Sequence, residues 1–491
     1  MSLSVGLDAA VAGLSVSADQ TSVVSRNVAR AGDPHATRKT ANVVTAPGGG
    51  VRIASTTRAS NQALFDKMLG TSTDASAQKA ILDALNALDQ TNGDPQDDAS
   101  PAAQITKFAS ALQQYAQAPQ DDVLARTAVT AADDLANALN AATNTVQQVR
   151  GQADSDIASS VSRLNDLLAQ FETVNTKIKL GSPSGDVTDD LDQRDQILTS
   201  ISEEIGIHTV TRANNDMAIY TDNGLTLFDT HARSVTFDAT ALFAPSTNGA
   251  PVMVDGVAVT GNSGLTGSSP GRIAALAQIR DSIAVTYQSQ LDEIARGLIK
   301  ITAESDQSSS PTLPDSPGLF TWDGAPAMPA VGIQAGLAGM IKVNASVDPN
   351  QGGNPARLRD GGISNPGNPA YVYNTTGVAG FSDRLNQLLD VLDQQQSFDP
   401  AAAAGSTETV SDFAASSVAW LQAARKSASD DSDYKSALLS RSSDALSSAT
   451  GVNLDEEMTL LLELERSYQA SSKLITTIDN MYGALLSATG R

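Results

Sequence analysis

One apolar stripe of unusual length dominates the first half of this 491-residue chain. Between Asp121 and Leu180, apolar or small residues recur at steps of three and four, as one face of an α-helix requires. The stripe contains Leu135, Leu139, Ala142, Val146, Val149, Ala153, Ile157, Ser160, Leu164, Leu167, Phe171, Val174 and Ile178. A helix of about 60 residues is about 90 Å long at a rise of about 1.5 Å per residue. Such a rod indicates a helical bundle or coiled coil rather than a globular enzyme domain.

The C-terminal segment carries a heptad pattern, the periodicity with which helices pair in coiled coils. Two companion rows recur at every seventh position: Leu454, Leu461, Tyr468, Ile475 and Tyr482 in the first, and Leu464, Ser471, Ile478 and Leu485 in the second. The two tyrosines share this register, so we interpret them as core residues whose hydroxyls reach the rim. Leu462, Leu474 and Met481 widen the apolar face beyond what one partner helix covers.

The N-terminal segment carries a thinner seam, because Ser, Thr and Ala fill many of its core positions. Its members are Leu3, Leu7, Ala10, Leu14, Ser17, Thr21, Val24, Val28 and Ala31. We predict that the terminal helices pair as a coiled coil, and that the rest of the C-terminal face is buried only when copies of the chain pack together. The residues expected to carry this assembly are Leu7, Leu14, Val24, Val28, Leu454, Leu461, Leu464, Tyr468, Ile475, Ile478 and Leu485.

The spacing of apolar residues changes after Gly206, where strict alternation replaces the helical period. Short alternating segments with turn signals, among them Asp222 to Gly224, predict a small antiparallel β insert over residues 207–265. Residues 305–380 are rich in Pro, Gly, Asn and Ser, so we expect loops with a few short strands there. The predicted fold class is therefore α+β, mainly α.

The length of the chain suggests about three domains, at about 100 to 200 residues for each. We predict a terminal coiled-coil domain formed by residues 1–40 and 451–491. A helical rod domain is predicted in three parts, 41–206, 266–304 and 381–450. The β insert and the irregular segment 305–380 separate these parts.

The composition argues against several classes of partner. The formal net charge is −23 and no basic cluster is visible, so nucleic acid and anionic membrane surfaces are unfavourable partners. No stretch approaches a membrane span, and the N-terminus lacks the basic start and apolar run of a cleaved secretory signal. The chain has no cysteine, which excludes disulfides and thiolate metal sites.

No catalytic or metal-binding set emerges from the sequence. The three histidines are scattered and lack metal-ligand spacing: His35, His208 and His231. Three acidic clusters lack the ligand order of a calcium loop: residues 97–98, 189–190 and 430–433. The Gly-rich stretches 46–50 and 261–271 lack a phosphate-loop motif. We interpret Asp192, Arg194 and Asp195 as a helix surface or a helix–helix ion pair, and predict no enzyme activity, cofactor or metal.

Four short motifs carry a resemblance. LELERSYQASSKLITTIDNMYGALL, within Gly451 to Leu486, is similar to the C-terminal signature of bacterial flagellar axial proteins. TGVNLDEE (Thr450 to Glu457) and LDQRDQIL (Leu191 to Leu198) more specifically resemble the family of first hook-associated proteins, which join hook to filament. SRNVARAGDPHATRKTANV is similar to the N-terminal axial pattern. It matches at Asn27, Val28, Ala29, Pro34 and Arg38, and departs at Asp33, His35, Ala36 and Thr37.

This resemblance implies an extracellular protein of the flagellum, exported unfolded through the flagellar secretion channel without a cleaved signal. It implies that paired terminal helices form an inner tube, with a helical domain around it and β domains outside. The partners it implies are further copies in a closed ring of about eleven, the flagellar hook protein, the second hook–filament junction protein and a cytoplasmic export chaperone on the C-terminal tail.

We therefore predict a structural subunit that polymerises as a junction ring between hook and filament. Another axial protein, of the hook or the rod, is the alternative within the same class, and the long stripe and the motif at Leu191 argue against it. A secreted hydrolase with its site on the β insert is a third hypothesis. It is the least favoured, because no acid, base and nucleophile converge.

Overall fold

The computed structural model describes residues 3–46, 50–92, 100–183, 185–261 and 271–490. Its helices are α1 (Leu3–Arg30), α2 (Gln62–Asp89), α3 (Pro101–Gln117), α4 (Asp122–Gly181), α5 (Thr188–Glu204), α6 (Arg272–Gln278), α7 (Ala284–Ile301), α8 (Arg357–Asp360), α9 (Asp383–Leu392), α10 (Val410–Thr450) and α11 (Leu454–Thr489). Most of the predicted turn at 46–50, the acidic pair 97–98 and the Gly-rich stretch 261–271 lie outside the described residues.

The strands are short and form small antiparallel sheets. They are β1 (Lys39–Thr45), β2 (Val51–Arg58), β3 (Ile207–Thr211), β4 (Met217–Thr221), β5 (Thr226–Phe228), β6 (Val235–Thr236), β7 (Met253–Val254), β8 (Val257–Ala258), β9 (Phe320–Thr321), β10 (Lys342–Val343), β11 (Gln396–Ser397) and β12 (Thr407–Glu408). The sheet orders are β1-β2, β3-β4-β5, β6-β7-β8, β10-β9 and β11-β12. Long helices with small antiparallel sheets confirm the predicted fold class.

Helix α4 confirms the predicted rod, with 60 residues in one uninterrupted helix. It begins at an N-cap, where the Asp121 carboxylate accepts hydrogen bonds from the backbone N–H groups of Val123 and Leu124 at 2.8 and 3.3 Å. The apolar stripe is buried along its length, with Leu168 rather than the predicted Leu167 facing the core. A four-residue step from Leu164 to Leu168 keeps the row on the buried face.

One apolar cluster joins helices α2 to α10 with strands β3 to β7, β9 and β10. Residues 59–450, which contain it, are called the body below. Helix α1, the loop that follows it, the β1–β2 hairpin and helix α11 are called the terminal unit. The apolar residues buried in its helices and strands lie outside the body's cluster: Ala10, Val16, Val23, Val24, Ala41 and Leu464. The terminal unit therefore adjoins the body without sharing its apolar core.

A buried aspartate fixes the loop that packs against α7. The Asp292 side chain accepts hydrogen bonds from the backbone N–H groups of Gly336 and Ala338 at 2.8 and 2.9 Å, and from Gln288 Nε2 at 2.9 Å. Burial raises the pKa of Asp292 to about 6, although these hydrogen bonds favour the ionised form. The carboxylate thus orders residues 336–338 at a cost in desolvation.

We expect Asp292→Asn to change how stability depends on pH. Because the folded-state pKa lies above that of an exposed aspartate, ionisation of Asp292 opposes folding above about pH 6, and this penalty is absent below about pH 4. Between pH 4 and pH 7 the free energy of unfolding should shift by about 2 to 3 kcal/mol in favour of the variant relative to wild type. Urea titration at both pH values measures this shift. Asp134→Asn, on the exposed side of α4, controls for the lost charge, and a pH-independent difference for D292N would contradict the raised pKa.

Candidate functional site

Helices α1 and α11 lie side by side and antiparallel. As the residue number in α1 rises from 6 to 27, the number of the facing residue in α11 falls from 478 to 457, so both advance by 21 positions without a slip. Glycine and serine at the contacts allow close approach of the two helices. The facing pairs are Gly6 with Ile478, Gly13 with Ser471, Ser17 with Ser467 and Asn27 with Glu457.

The residues predicted to carry assembly fall into three groups in the structure. Val24 and Leu464 are buried between the two helices. Those at the edge of the contact are half-buried: Leu7, Leu14, Val28, Leu461, Ile475 and Ile478. Leu454, Tyr468 and Leu485 are exposed. The interpretation of Tyr468 as a core residue is therefore wrong for the single chain, because α1 is one helix and covers only the middle of the C-terminal stripe.

The uncovered part of α11 is a broad apolar surface, called the open face below. Its members are 45–68% exposed: Leu454, Met458, Leu462, Tyr468, Leu474, Met481, Leu485 and Leu486. Moving one Leu or Met side chain from water into a packed contact is worth about 1.5 to 3 kcal/mol. Exposed apolar side chains in this number, spread over more than one side of the helix, mark a site of protein–protein contact.

A buried polar contact lies at the end of the helix pair that adjoins the body. Glu457 of α11 is 0% exposed and accepts hydrogen bonds from Asn27 Nδ2 at 3.0 Å and from Arg38 Nε at 2.8 Å. The Asn27 side chain also bonds the backbone N–H and C=O of Lys39 in β1, at 3.1 and 2.9 Å. Outside this buried contact, Arg38 donates to the exposed Glu456 at 2.7 Å. One carboxylate therefore ties α11 to α1 and to the segment that leads into β1.

The terminal unit meets the body at a cluster of opposite charges, called the joint below. Four cations come from the terminal unit: Arg26, Arg30, Lys39 and Arg58. Four carboxylates come from α5 and the residues before it: Asp186, Asp189, Asp192 and Asp195. The charges are thus complementary and divided cleanly between the two sides.

Asp192 lies at the centre of the joint, 1% exposed. Its Oδ1 accepts hydrogen bonds from Thr37 Oγ1 at 2.6 Å and from Arg58 Nη1 at 3.1 Å. Its Oδ2 lies 3.4 Å from Lys39 Nζ and 3.6 Å from Arg30 Nη1. Three segments of the terminal unit, namely the end of α1, the loop to β1 and the hairpin, therefore meet at one carboxylate of the body.

Neighbouring carboxylates in the joint titrate differently. The hydrogen bond from Lys39 holds the pKa of Asp189 below its ordinary value. Burial raises the pKa of Asp195, although Arg58, at 2.6 Å, opposes that change. The joint thus combines a water-accessible ion pair at Asp189 with more deeply placed carboxylates.

The expectation that Asp192, Arg194 and Asp195 form a surface or a simple helix–helix pair is wrong for the first two. Asp192 and Arg194 are both buried, and Arg194 donates to Asn175 Oδ1 at 3.1 Å and to the backbone oxygen of Asn215 at 2.5 Å inside the body. Desolvation lowers the pKa of Arg194 to about 10. The motif therefore has two sides, with Asp192 facing the terminal unit and Arg194 facing the body.

The motifs that carried the sequence resemblance converge at this end of the terminal unit. Asn27 and Arg38 belong to the N-terminal motif, Glu457 to TGVNLDEE and Asp192 to LDQRDQIL. The backbone N–H of Arg38 also donates to the carbonyl of Thr450 at 2.8 Å. Sequence reasoning did not bring these residues together. Asn27, Arg38 and Asp192 each belong to a motif that carries the resemblance. This was the signal from which their contact could have been predicted.

The described ranges give little support to a metal site or a membrane span. His35 is exposed beside the joint, His208 Nε2 lies 3.3 Å from Asp222 Oδ1, and His231 is exposed. Within those ranges, no group of three or more His, Cys, Asp or Glu side chains is arranged to hold a metal ion. Among the described helices, none has the length and apolarity needed to cross a membrane.

Comparison with known proteins adds independent evidence. Residues 85–308 match the family model of the flagellar hook-associated protein FlgK helical domain. Residues 445–488 match the model of the flagellar basal body rod FlgEFG protein C-terminal region. The chain is 20% identical over 449 residues to flagellar hook-associated protein 1 of Bacillus subtilis (strain 168), covering 84% of this chain and 80% of that protein.

A solved structure also matches, the flagellar hook junction protein FlgK from Burkholderia pseudomallei. The identity is 23% and the TM-score is 0.43, over 52% of this chain and 46% of that one. This chain therefore spans about half the length of that solved protein.

The antiparallel pair formed by the two ends of the chain, together with the two family models, defines a bacterial flagellar axial protein. The C-terminal model covers most of α11, and the helical-domain model covers the long rod α4. Within that class, the helical-domain model is that of flagellar hook-associated protein FlgK, and the Bacillus subtilis relative is flagellar hook-associated protein 1.

Proposed function

We propose that this chain is a structural subunit of the bacterial flagellum, which polymerises as a ring at the junction between hook and filament. The observation that carries the proposal is the open face of α11, where Leu462, Leu474, Met481 and Leu485 are 52–55% exposed. An apolar surface this broad on the end of the chain favours burial against neighbouring copies. The terminal unit then forms the inner layer of the ring, and the body surrounds it.

The proposed assembly residues are those predicted from the heptads. Val24 and Leu464 hold α1 to α11, and the exposed members Leu454, Tyr468 and Leu485 contact the next copy. The half-buried members lie between these two groups: Leu7, Leu14, Val28, Leu461, Ile475 and Ile478. This division lets one helix serve both the fold of the single chain and the contact between chains.

The proposed partners are further copies of the chain, about eleven in a closed ring, with the hook protein on one side and the second hook–filament junction protein on the other. Before export, a cytoplasmic chaperone covers the open face, which otherwise promotes premature association. Export proceeds through the flagellar secretion channel without a cleaved signal. The role is architectural and involves no catalysis, cofactor or metal.

Hook or rod protein is the second candidate. The observation that favours it is the match of residues 445–488 to a model of rod proteins. The three roles differ in where the chain lies along the flagellum. Position on the organelle is therefore the deciding measurement.

We expect an epitope inserted after Val331, which is 100% exposed, to label one band at the cell-distal end of the hook in immunogold electron microscopy. Deletion of the gene should leave hooks without filaments and release filament subunits into the medium, and the tagged chain should restore filaments. Label along the whole hook would assign the chain to the hook, and label at the basal body would assign it to the rod. Either result would refute the junction role.

A further inference from the structure

A long loop of the β insert lies along the rod α4. Residues 237–252 leave the sheet at Thr236 and return to it at Met253, and these two residues pair across β6 and β7. Both ends of the loop therefore lie side by side, as in an Ω-loop, so the loop can hinge there without breaking the sheet. We call residues 237–252 the flap.

Side chains of α4 bind the main chain of the flap. The Thr240 N–H donates to Asp154 Oδ2 at 2.7 Å. Arg150 donates to the carbonyl oxygens of Ala244 and Thr247 at 3.1 and 2.5 Å. The flap has no regular secondary structure of its own, so these contacts satisfy backbone groups that a sheet would otherwise pair.

The contacts follow one face of α4 in order. Just before the flap, Asn165 bonds the N–H and C=O of Val235 at 3.2 and 2.8 Å. From Asn165 to Asp154 and then to Arg150 the steps are 11 and 4 residues, close to three helical turns and one. Because the numbers on α4 fall while those in the flap rise, the flap runs antiparallel to the helix. Such a row of polar side chains recognises an extended main chain.

Arg150 makes the largest share of these contacts. It is 2% exposed, and the acceptors that it reaches are neutral: the carbonyl oxygens of Ala244, Thr247 and Arg280 and the side-chain oxygen of Gln147. Its guanidinium also lies 4.9 Å from the centre of the Phe243 ring. Arg150 therefore binds an aromatic side chain together with the carbonyls one and four residues further along the same segment.

The flap is attached outside the apolar core. Phe243 is 7% exposed but does not belong to the body's apolar cluster, whereas Leu242 next to it is 82% exposed. Between residues 238 and 251, no described apolar side chain belongs to that cluster or packs against it. Water can replace hydrogen bonds at the surface when a segment lifts, so the flap can open while the body stays folded.

We propose that this face of α4 is a binding site for an extended polypeptide segment, and that the flap is its internal occupant. The contacts define the segment: an aromatic residue, a free backbone N–H three residues before it, and free carbonyls one and four residues after it. When the flap lifts, the site accepts such a segment from another polypeptide. The inference concerns the body alone and goes beyond the proposed function.

The test asks whether a weakened flap lets a separate peptide bind. Phe243→Ser in the full chain removes the aromatic ring from the flap and leaves α4 unchanged. The probe is a fluorescein-labelled synthetic peptide with the sequence of residues 236–250, followed by fluorescence anisotropy. We expect half-saturation at about 10 to 100 µM, because the flap competes at an effective concentration of about 1 mM and loss of the ring weakens its hold by about ten- to a hundredfold. Wild type should bind at least about tenfold more weakly, since its intact flap occupies the site.

Arg150→Ala in the F243S background should weaken peptide binding by at least about tenfold, because it removes the donors to two carbonyls. Arg126→Ala is the matched control, since it removes the same group from an exposed position of α4 and should leave binding unchanged. No binding to F243S up to about 1 mM, or equal binding with and without Arg150, would overturn the proposal. If F243S fails to fold, Phe243→Leu decides by the same criteria. The position of the chain along the flagellum has no bearing on either result.

Discussion

Aspartate in place of Leu474, Met481 and Leu485 should leave the isolated chain folded and abolish its incorporation at the hook tip. The three side chains are 52–55% exposed, so the substitutions remove little packing within the chain. Their spacing of seven and four places them on one flank of α11, next to the seam with α1. In a ring, each carboxylate would be buried against a neighbouring copy without a partner, which costs several kcal/mol or forces the interface apart.

Complementation of a deletion strain measures this result. The triple variant should be exported and should leave cells without filaments, while circular dichroism of the purified chain stays unchanged. Aspartate at Gln469, Thr476 and Asn480 is the matched control, since these exposed polar positions lie on the opposite side of α11 and add the same charge. Normal filaments in cells carrying the open-face variant would show that this surface does not carry assembly.

Glu457→Ala should release α11 from α1 at the inner end of the helix pair. Glu457 is buried and accepts hydrogen bonds from Asn27 and Arg38, so its removal leaves one N–H of the Asn27 amide and the Nε–H of Arg38 without their acceptor. Removing one partner of a buried polar pair costs about 3 to 5 kcal/mol. Because the terminal unit lies outside the body's apolar cluster, the loss should appear as local opening of α1 and α11 rather than as unfolding of the body.

Hydrogen exchange followed by mass spectrometry measures this opening. We expect protection in α1 to fall by at least about a hundredfold, the factor that corresponds to about 3 kcal/mol, while α4 keeps its protection. Glu456→Ala is the control one residue away: Glu456 also binds Arg38, but its side chain is 57% exposed, so the loss should stay below about 1 kcal/mol. Equal protection of α1 from hydrogen exchange in Glu457→Ala and Glu456→Ala would refute a special role for the buried carboxylate.

The features that the sequence predicted well are those set by local periodicity. The three-and-four spacing from Leu135 to Ile178 requires a long helix wherever it packs, and α4 has the expected length. Alternation after Gly206 likewise predicted β3 to β5, because strand faces follow directly from a period of two. The heptad rows at the two ends predicted helical pairing, and α1 and α11 do pair.

The features that the sequence did not predict depend on contacts between distant segments. Asp192 and Arg58 are 134 positions apart, and an acidic residue in a polar helix ordinarily belongs to the solvated side. Tyr468 shares a heptad row with Leu461 and Ile475, but a row cannot show whether α1 or another copy buries a given member. Which charged side chain is buried, and which partner covers each part of a helix face, are decided only when distant segments pack together.

The antiparallel pair also has a mechanical consequence. Leu3 and the last turns of α11 lie together at the far tip of the pair, and Asn27 lies at the other end, beside the joint. The 24 positions between Leu3 and Asn27 correspond to a lever arm of about 36 Å at about 1.5 Å per residue. A rotation of about 5° at its base would move the tip by about 3 Å, whereas an added gap of about 0.5 to 1 Å already removes about a quarter to a half of the dispersion attraction between contacting atoms. A few exchanged ion pairs at one end could thus decide which neighbours the other end can touch.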